Sequence, residues 1–181
     1  MKKHIPNALT LLRILLVPVV WWCIWQREYE KAILSGFFAG ISDALDGYLA
    51  RRWNATSRFG ALADPIADKL LLSGSYLMFW LAREIAPWIA AIVIGRDLLI
   101  LGVALIAWRF TRLRDFPPSV WGKVSTLIQI LTGLVILVNR SIGSDIYTYR
   151  LEWWMLYACA AVTLWSGIHY AGTVWKRMRP I

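Results

Sequence analysis

Four aspartates stand at fixed intervals inside apolar sequence: Asp43-Ala-Leu-Asp46-Gly47-Tyr-Leu-Ala50-Arg51, eight residues, then Gly60-Ala-Leu-Ala-Asp64-Pro-Ile-Ala-Asp68. An ionised carboxylate near the centre of a membrane helix costs roughly 2.5–3.5 kcal/mol on insertion scales. Four left unanswered would cost on the order of 10 kcal/mol. Divalent metal is the simplest answer to that charge. Oxygen ligands without a His or Cys partner select a hard cation, Mg²⁺ or Mn²⁺ first and Ca²⁺ next. Four carboxylates can hold two such ions, which suits phosphoryl displacement because both the attacking and the leaving oxygen need stabilising. The competing reading is structural ion pairing with Lys69, Arg51 or Arg58, but one or two bases do not neutralise four acids.

The residues between the aspartates fit the same chemistry. Gly47, Ala50 and Gly60 lack bulk where a flat ligand or a phosphate must approach the backbone. Helix–helix packing explains small residues equally well when they stand alone. Arg51 adds a planar cation suited to phosphate oxygens. No nucleophilic Ser–His or Cys–His pair is evident, and His4 and His169 stand far apart and read as interfacial.

The elements that must carry the grid are membrane helices. The chain has 181 residues, of which 59% are hydrophobic, with 12 Trp and a mean hydropathy of +0.53. That composition belongs to an integral membrane protein. Six stretches approach the length of about 20 apolar residues that a spanning helix needs: 8–25, 32–50, 60–82, 87–108, 121–139 and 153–174. The connections are short and polar, and Pro117-Pro118 marks a loop. The expected architecture is all-α, with six transmembrane helices forming a single domain over 1–181. Lys2 and Lys3 imitate a signal peptide, but Arg13 interrupts the run after them, so it reads as a retained first helix. Cys23 and Cys159 lie in apolar runs and read as buried thiols.

The net charge of +9 does not indicate nucleic acid, because the basic residues sit at segment ends rather than in an aromatic-lined patch. With both termini on one side, eleven basic loop residues face that side and five the other. The positive-inside rule then puts both termini, and the Arg51–Phe59 connection, in the cytoplasm. Asp46 and Asp64 each lie about four residues inside a helix end, hence about 6 Å below the same surface at 1.5 Å per residue. The pairs at i,i+3 and i,i+4 share a helix face. Two antiparallel neighbours would present all four carboxylates to one cytoplasmic pocket.

This block resembles the signature of the CDP-alcohol phosphatidyltransferase family, D-x2-D-G-x2-A-R-x8-G-x3-D-x3-D, at every fixed position. The resemblance implies that Asp43, Asp46, Asp64 and Asp68 bind two metals. It implies that Asp68 also takes the acceptor hydroxyl's proton. Gly47, Ala50, Arg51 and Gly60 would surround the CDP group of CDP-diacylglycerol, and the alcohol would attack the β-phosphorus with release of CMP. Asn7-Ala-Leu-Thr10-Leu-Leu-Arg13, the run from Leu49 to Lys69, and Gly122-Lys123, Thr126 and Gln129 are similar to bacterial phosphatidylglycerophosphate synthases.

Helix 4 departs from that branch. Where it usually carries Arg-Glu and a further Arg two turns on, this chain reads Gly95-Arg96-Asp97 and later Val103-Ala104-Leu105. With Lys123-Val-Ser-Thr126, this looks more like the cardiolipin synthases of the same family. Arg96 and Lys123 are the expected contacts to the acceptor, Arg96 to its phosphate; an ion pair within Arg96-Asp97 is the competing reading. The expected acceptor is glycerol 3-phosphate, with phosphatidylglycerol as the alternative. A divalent-cation transporter fits less well, because its polar groups would cross the full membrane thickness. An intramembrane prenyltransferase would need more helices and two separated aspartate motifs. The expected setting is the bacterial inner membrane with the site facing the cytoplasm. Membrane lipid and a homodimer are further expected partners, though Trp21, Trp22 and Trp25 read first as an aromatic belt.

Overall fold

The structure is a computed structural model. It describes the backbone of residues 4–52, 58–110, 119–143 and 145–178, and the side chains of residues 8–49, 52, 66–103, 119–143 and 145–174. Six α-helices follow one another, with no strand among the described residues: α1 (His4–Trp25), α2 (Tyr29–Arg52), α3 (Arg58–Leu81), α4 (Pro87–Phe110), α5 (Val120–Ile142) and α6 (Ile146–Met178). Among the described residues two stretches, Ala8–Trp25 and Val120–Ile142, are long and apolar enough by themselves to cross a membrane. The chain divides into two compact units, Met1–Glu84 with Leu137–Gly143, and Ile85–Ile136 with Ser144–Ile181.

In the first unit α1 packs against both α2 and α3. Its buried side chains recur every three or four residues: Thr10, Arg13, Val17, Val20 and Ile24. The buried stripe of α2 follows the same rhythm with small residues, Ala32, Ser35, Ala39 and Ser42, and ends on Asp46. Small side chains let two helix backbones approach closely, which is how helices associate where lipid removes the hydrophobic drive.

α1 and α3 end in the same way. Arg27 and Arg83 adopt left-handed backbone angles, φ 61° and 63°. The amide after each reaches back five residues, Glu28 N to Cys23 O at 2.8 Å and Glu84 N to Phe79 O at 2.8 Å. This is the Schellman ending, usually built on glycine. Here an arginine bears the left-handed strain of about 1–2 kcal/mol. Arg27 repays part of it by donating from Nη2 to Ala82 O at 3.0 Å, which satisfies a carbonyl at the end of α3.

In the second unit α4 packs against α6, and α5 joins α6 through polar groups. Gln129 Nε2 donates to Thr163 Oγ1 at 2.9 Å and to Ser125 Oγ at 3.2 Å. Thr132 Oγ1 donates to Ile128 O on its own helix at 2.7 Å and reaches Met155 O on α6 at 3.4 Å. Ser125, Gln129, Thr132, Thr163 and Ser166 are all buried, whereas Leu15, Trp22, Phe37, Leu98, Trp154 and Ile168 are exposed. Polar groups inside and large apolar side chains outside are the distribution of a protein whose solvent is lipid. Cys23 and Cys159 are buried thiols outside any disulfide, as the sequence predicts.

The helix boundaries fall within a few residues of expectation at five of the six segments. The exception is α6, which begins at Ile146 rather than 153. Gly143, at φ +83°, ends α5, and Asp145 starts the next helix by accepting from Tyr147 N at 3.0 Å and Thr148 N at 2.8 Å. The Thr148 amide holds the Asp145 carboxyl below the usual carboxylate range. Pro117-Pro118 lies outside the described residues.

Candidate active site

Arg13 is the centre of the described site. Its side chain is fully buried, and one terminal nitrogen, Nη2, lies 2.7 Å from Asp43 Oδ1 and 2.6 Å from Asp46 Oδ2. The other, Nη1, lies 3.1 Å from Asp68 Oδ1. Thr10, one turn earlier on α1, donates to Asp46 Oδ2 at 3.2 Å. The local sequence explains this convergence. Thr10 and Arg13 occupy the stripe of α1 that meets α2, and Asp46 closes the stripe of α2 that meets α1. Asp43, three residues before Asp46, shares its helix face.

The carboxylates are not equivalent. Asp46 is 4% exposed, while Asp43 and Asp68 are 48% and 55% exposed. The site therefore has one inner carboxylate with two donors on a single oxygen and two outer carboxylates open to the surroundings. Among the described side chains three carboxylates surround one guanidinium, and their oxygen-only donor set suits a hard divalent cation. Among the described residues no three acidic, His or Cys side chains close into a metal cage by themselves; the guanidinium stands between them.

The helix that brings Asp43, Asp46 and Asp68 together is α1, through Arg13. Lys69, Arg51 and Arg58 were weighed as structural counter-ions; among the described residues a base on a different helix, Arg13, pairs with three of these acids. An arginine inside an apolar run was the available signal, since an intramembrane arginine is functional by default. Thr10 gave no comparable signal.

Gly47 is half-buried on α2, and a Cβ built there would meet nothing within 4 Å among the described residues. Among the described residues its small size leaves open space beside Asp46. Asp64 and Gly60 lie on α3, and Ala50 and Arg51 on α2; their side chains are outside the described residues.

Arg96 and Lys123 belong to the second unit. Arg96 Nη1 pairs with Asp97 Oδ1 at 2.6 Å, with both side chains about nine-tenths buried, and Nη2 donates to Ser166 Oγ at 3.2 Å. The ion pair weighed from sequence is therefore formed, and Arg96 Nε remains without a described partner. Gly122 leaves room for this guanidinium, since a Cβ there would come within 3.2 Å of Nη2. Lys123 beside it is exposed. Arg96 also lines a groove of about 670 Å³ with Ala91, Gly95, Leu99, Thr163 and Gly167.

With this arrangement in view, residues 3–165 match the family model of the CDP-alcohol phosphatidyltransferases, and the chain belongs to that family. It is 31% identical over 97% of its length to a Pseudomonas fluorescens protein named CDP-diacylglycerol–glycerol-3-phosphate 3-phosphatidyltransferase, of which it covers 92%. A Haemophilus influenzae protein of the same name is 34% identical over 94% of this chain and 92% of its own. A Drosophila melanogaster protein named probable cardiolipin synthase (CMP-forming) is 33% identical over 80% of this chain but only 48% of its own.

Proposed function

We propose that this protein transfers the phosphatidyl group of CDP-diacylglycerol to glycerol 3-phosphate, forming phosphatidylglycerophosphate and CMP. The observation that carries the reading is the convergence of Asp43, Asp46 and Asp68 on one buried point in a chain of this family. Names borne by relatives over more than nine-tenths of the chain support the choice of acceptor.

The residues have distinct duties. Asp68, on the open side of the cluster, accepts the proton of the acceptor hydroxyl as its oxygen attacks the β-phosphorus. The bond from that phosphorus to the CMP oxygen breaks, and CMP leaves with the electron pair. Asp43, Asp46, Asp64 and Asp68 would hold two divalent ions, Mg²⁺ or Mn²⁺, which when bound supply positive charge to the diphosphate oxygens. Open space at Gly47, with Ala50, Arg51 and Gly60, receives the CDP group. Arg96 and Lys123 meet the acceptor. The domain spans 1–181 with six membrane crossings, both termini and the site facing the cytoplasm of a bacterial inner membrane, and it works as a homodimer.

The second reading, a cardiolipin synthase with phosphatidylglycerol as acceptor, is favoured by one observation. The groove beside Arg96 is walled by Leu99, Ala91 and Gly95 and suits an acyl chain. Purified protein offered CDP-diacylglycerol with either acceptor, and the lipid product identified by mass, separates the two. Absence of CMP release with any alcohol would overturn both.

A further inference from the structure

Arg13 has no part in the reaction just described, yet it is a fully buried charge at the centre of the site. Its side chain is fully buried and reaches three carboxylates at 2.6–3.1 Å. A buried guanidinium persists only where its charge is answered, so Arg13 and the carboxylates stabilise one another in the metal-free protein. A divalent cation would draw on the same carboxylates, Asp43 and Asp68. Two cations within a few ångströms of each other repel, and the repulsion grows as water is excluded.

We propose that Arg13 and the divalent cation are alternative counter-ions of one carboxylate cluster. Asp43 and Asp68 are half-exposed, so a cation arriving from the open side takes them. Asp46 is buried and its Oδ2 accepts from both Arg13 and Thr10, so Arg13 keeps that contact. Arg13 thus holds the empty site together and lowers its metal affinity. It is a positioning residue, and the inference rests on the cluster being the metal site.

The test compares full-length wild type, Arg13→Gln and Arg13→Lys in detergent. Mn²⁺ binding is read from the loss of the free-ion EPR signal, and stability from tryptophan fluorescence on heating. Arg13→Gln should bind Mn²⁺ at least tenfold more tightly than wild type. Its metal-free form should melt at lower temperature and be restored by Mn²⁺. Arg13→Lys, with a single ammonium in place of the two-pronged head, should bind with intermediate affinity. It serves also where the Gln variant does not fold without metal. A merely structural arginine would weaken binding when removed, so equal or weaker Mn²⁺ binding by both variants overturns the proposal while leaving the metal site standing. If wild type itself binds no Mn²⁺, the metal site falls and the competition falls with it.

Discussion

Arg140 Nε lies 2.6 Å from Glu84 Oε2, tying the end of α5 to the turn after α3. The other oxygen of Glu84 accepts from the Tyr29 hydroxyl at 2.6 Å, so one carboxylate holds three parts of the first unit together. The Glu84 side chain is 9% exposed and that of Arg140 24%. Removing one member of a buried pair costs about 3–5 kcal/mol, and partial exposure of Arg140 reduces this to about 2–3 kcal/mol. Glu84→Gln should therefore lower the unfolding temperature in detergent with little loss of turnover. Asp68 lies 13 residues, about 20 Å along the helix axis, before α3 ends at Leu81, and Glu84 is in the turn beyond. A variant that melts like wild type would remove the clasp.

The same clasp has an alkaline limit. Burial, and then the hydrogen bond to Glu84, push the Tyr29 hydroxyl up to about 12 from its ordinary 10.0. The folded state favours the protonated form, so this contribution is present below pH 10 and is lost as pH rises from 10 towards 12. Tyr29→Phe should melt lower at neutral pH and lose less stability than wild type between pH 10 and 12. Fluorescence melts across that range check it, and parallel curves for the two proteins would contradict it.

Asp43→Asn and Asp64→Asn should each abolish transfer and weaken the dependence on Mn²⁺. Asp68→Asn should keep CDP-diacylglycerol binding while turnover falls by about 10²–10⁴, the usual contribution of a general base. Nucleotide binding by equilibrium titration and CMP release distinguish these outcomes. Loss of nucleotide binding in Asp68→Asn would reassign that residue to ligand holding alone.

Arg96→Gln should raise KM for the acceptor at least tenfold while KM for CDP-diacylglycerol stays within twofold, because its role is confined to the acceptor. Steady-state kinetics with each substrate varied in turn decide the point. An equal rise in both constants would mean that Arg96 serves only to hold α4 to Asp97 and Ser166.

Much of this protein could be read from its chain, for identifiable reasons. Long apolar stretches bounded by charge specify helices, and five of the six helices fall where hydropathy puts them. The aspartates could be found because their spacing repeats the helix period in a setting hostile to charge. Arg13 was visible as an anomaly but not as a partner, since the contact between α1 and Asp46 spans 33 residues and depends on which faces pack. The Schellman endings were hidden because arginine occupies the position where glycine gives the signal. The early start of α6 was hidden by tyrosines and an arginine that lower local hydropathy, although Gly143 and Asp145 mark the break.

The run of Ala32, Ser35, Ala39 and Ser42 along α2 acts as a spacer of fixed thickness. It determines how far α1 stands from α2, and therefore whether the Arg13 head arrives at Asp46 or falls short. Ala39→Leu would wedge the two helices apart a full turn and more from any carboxylate. The tolerance of this reaction centre is thus a mechanical one, gauged in methyl groups that no substrate ever touches.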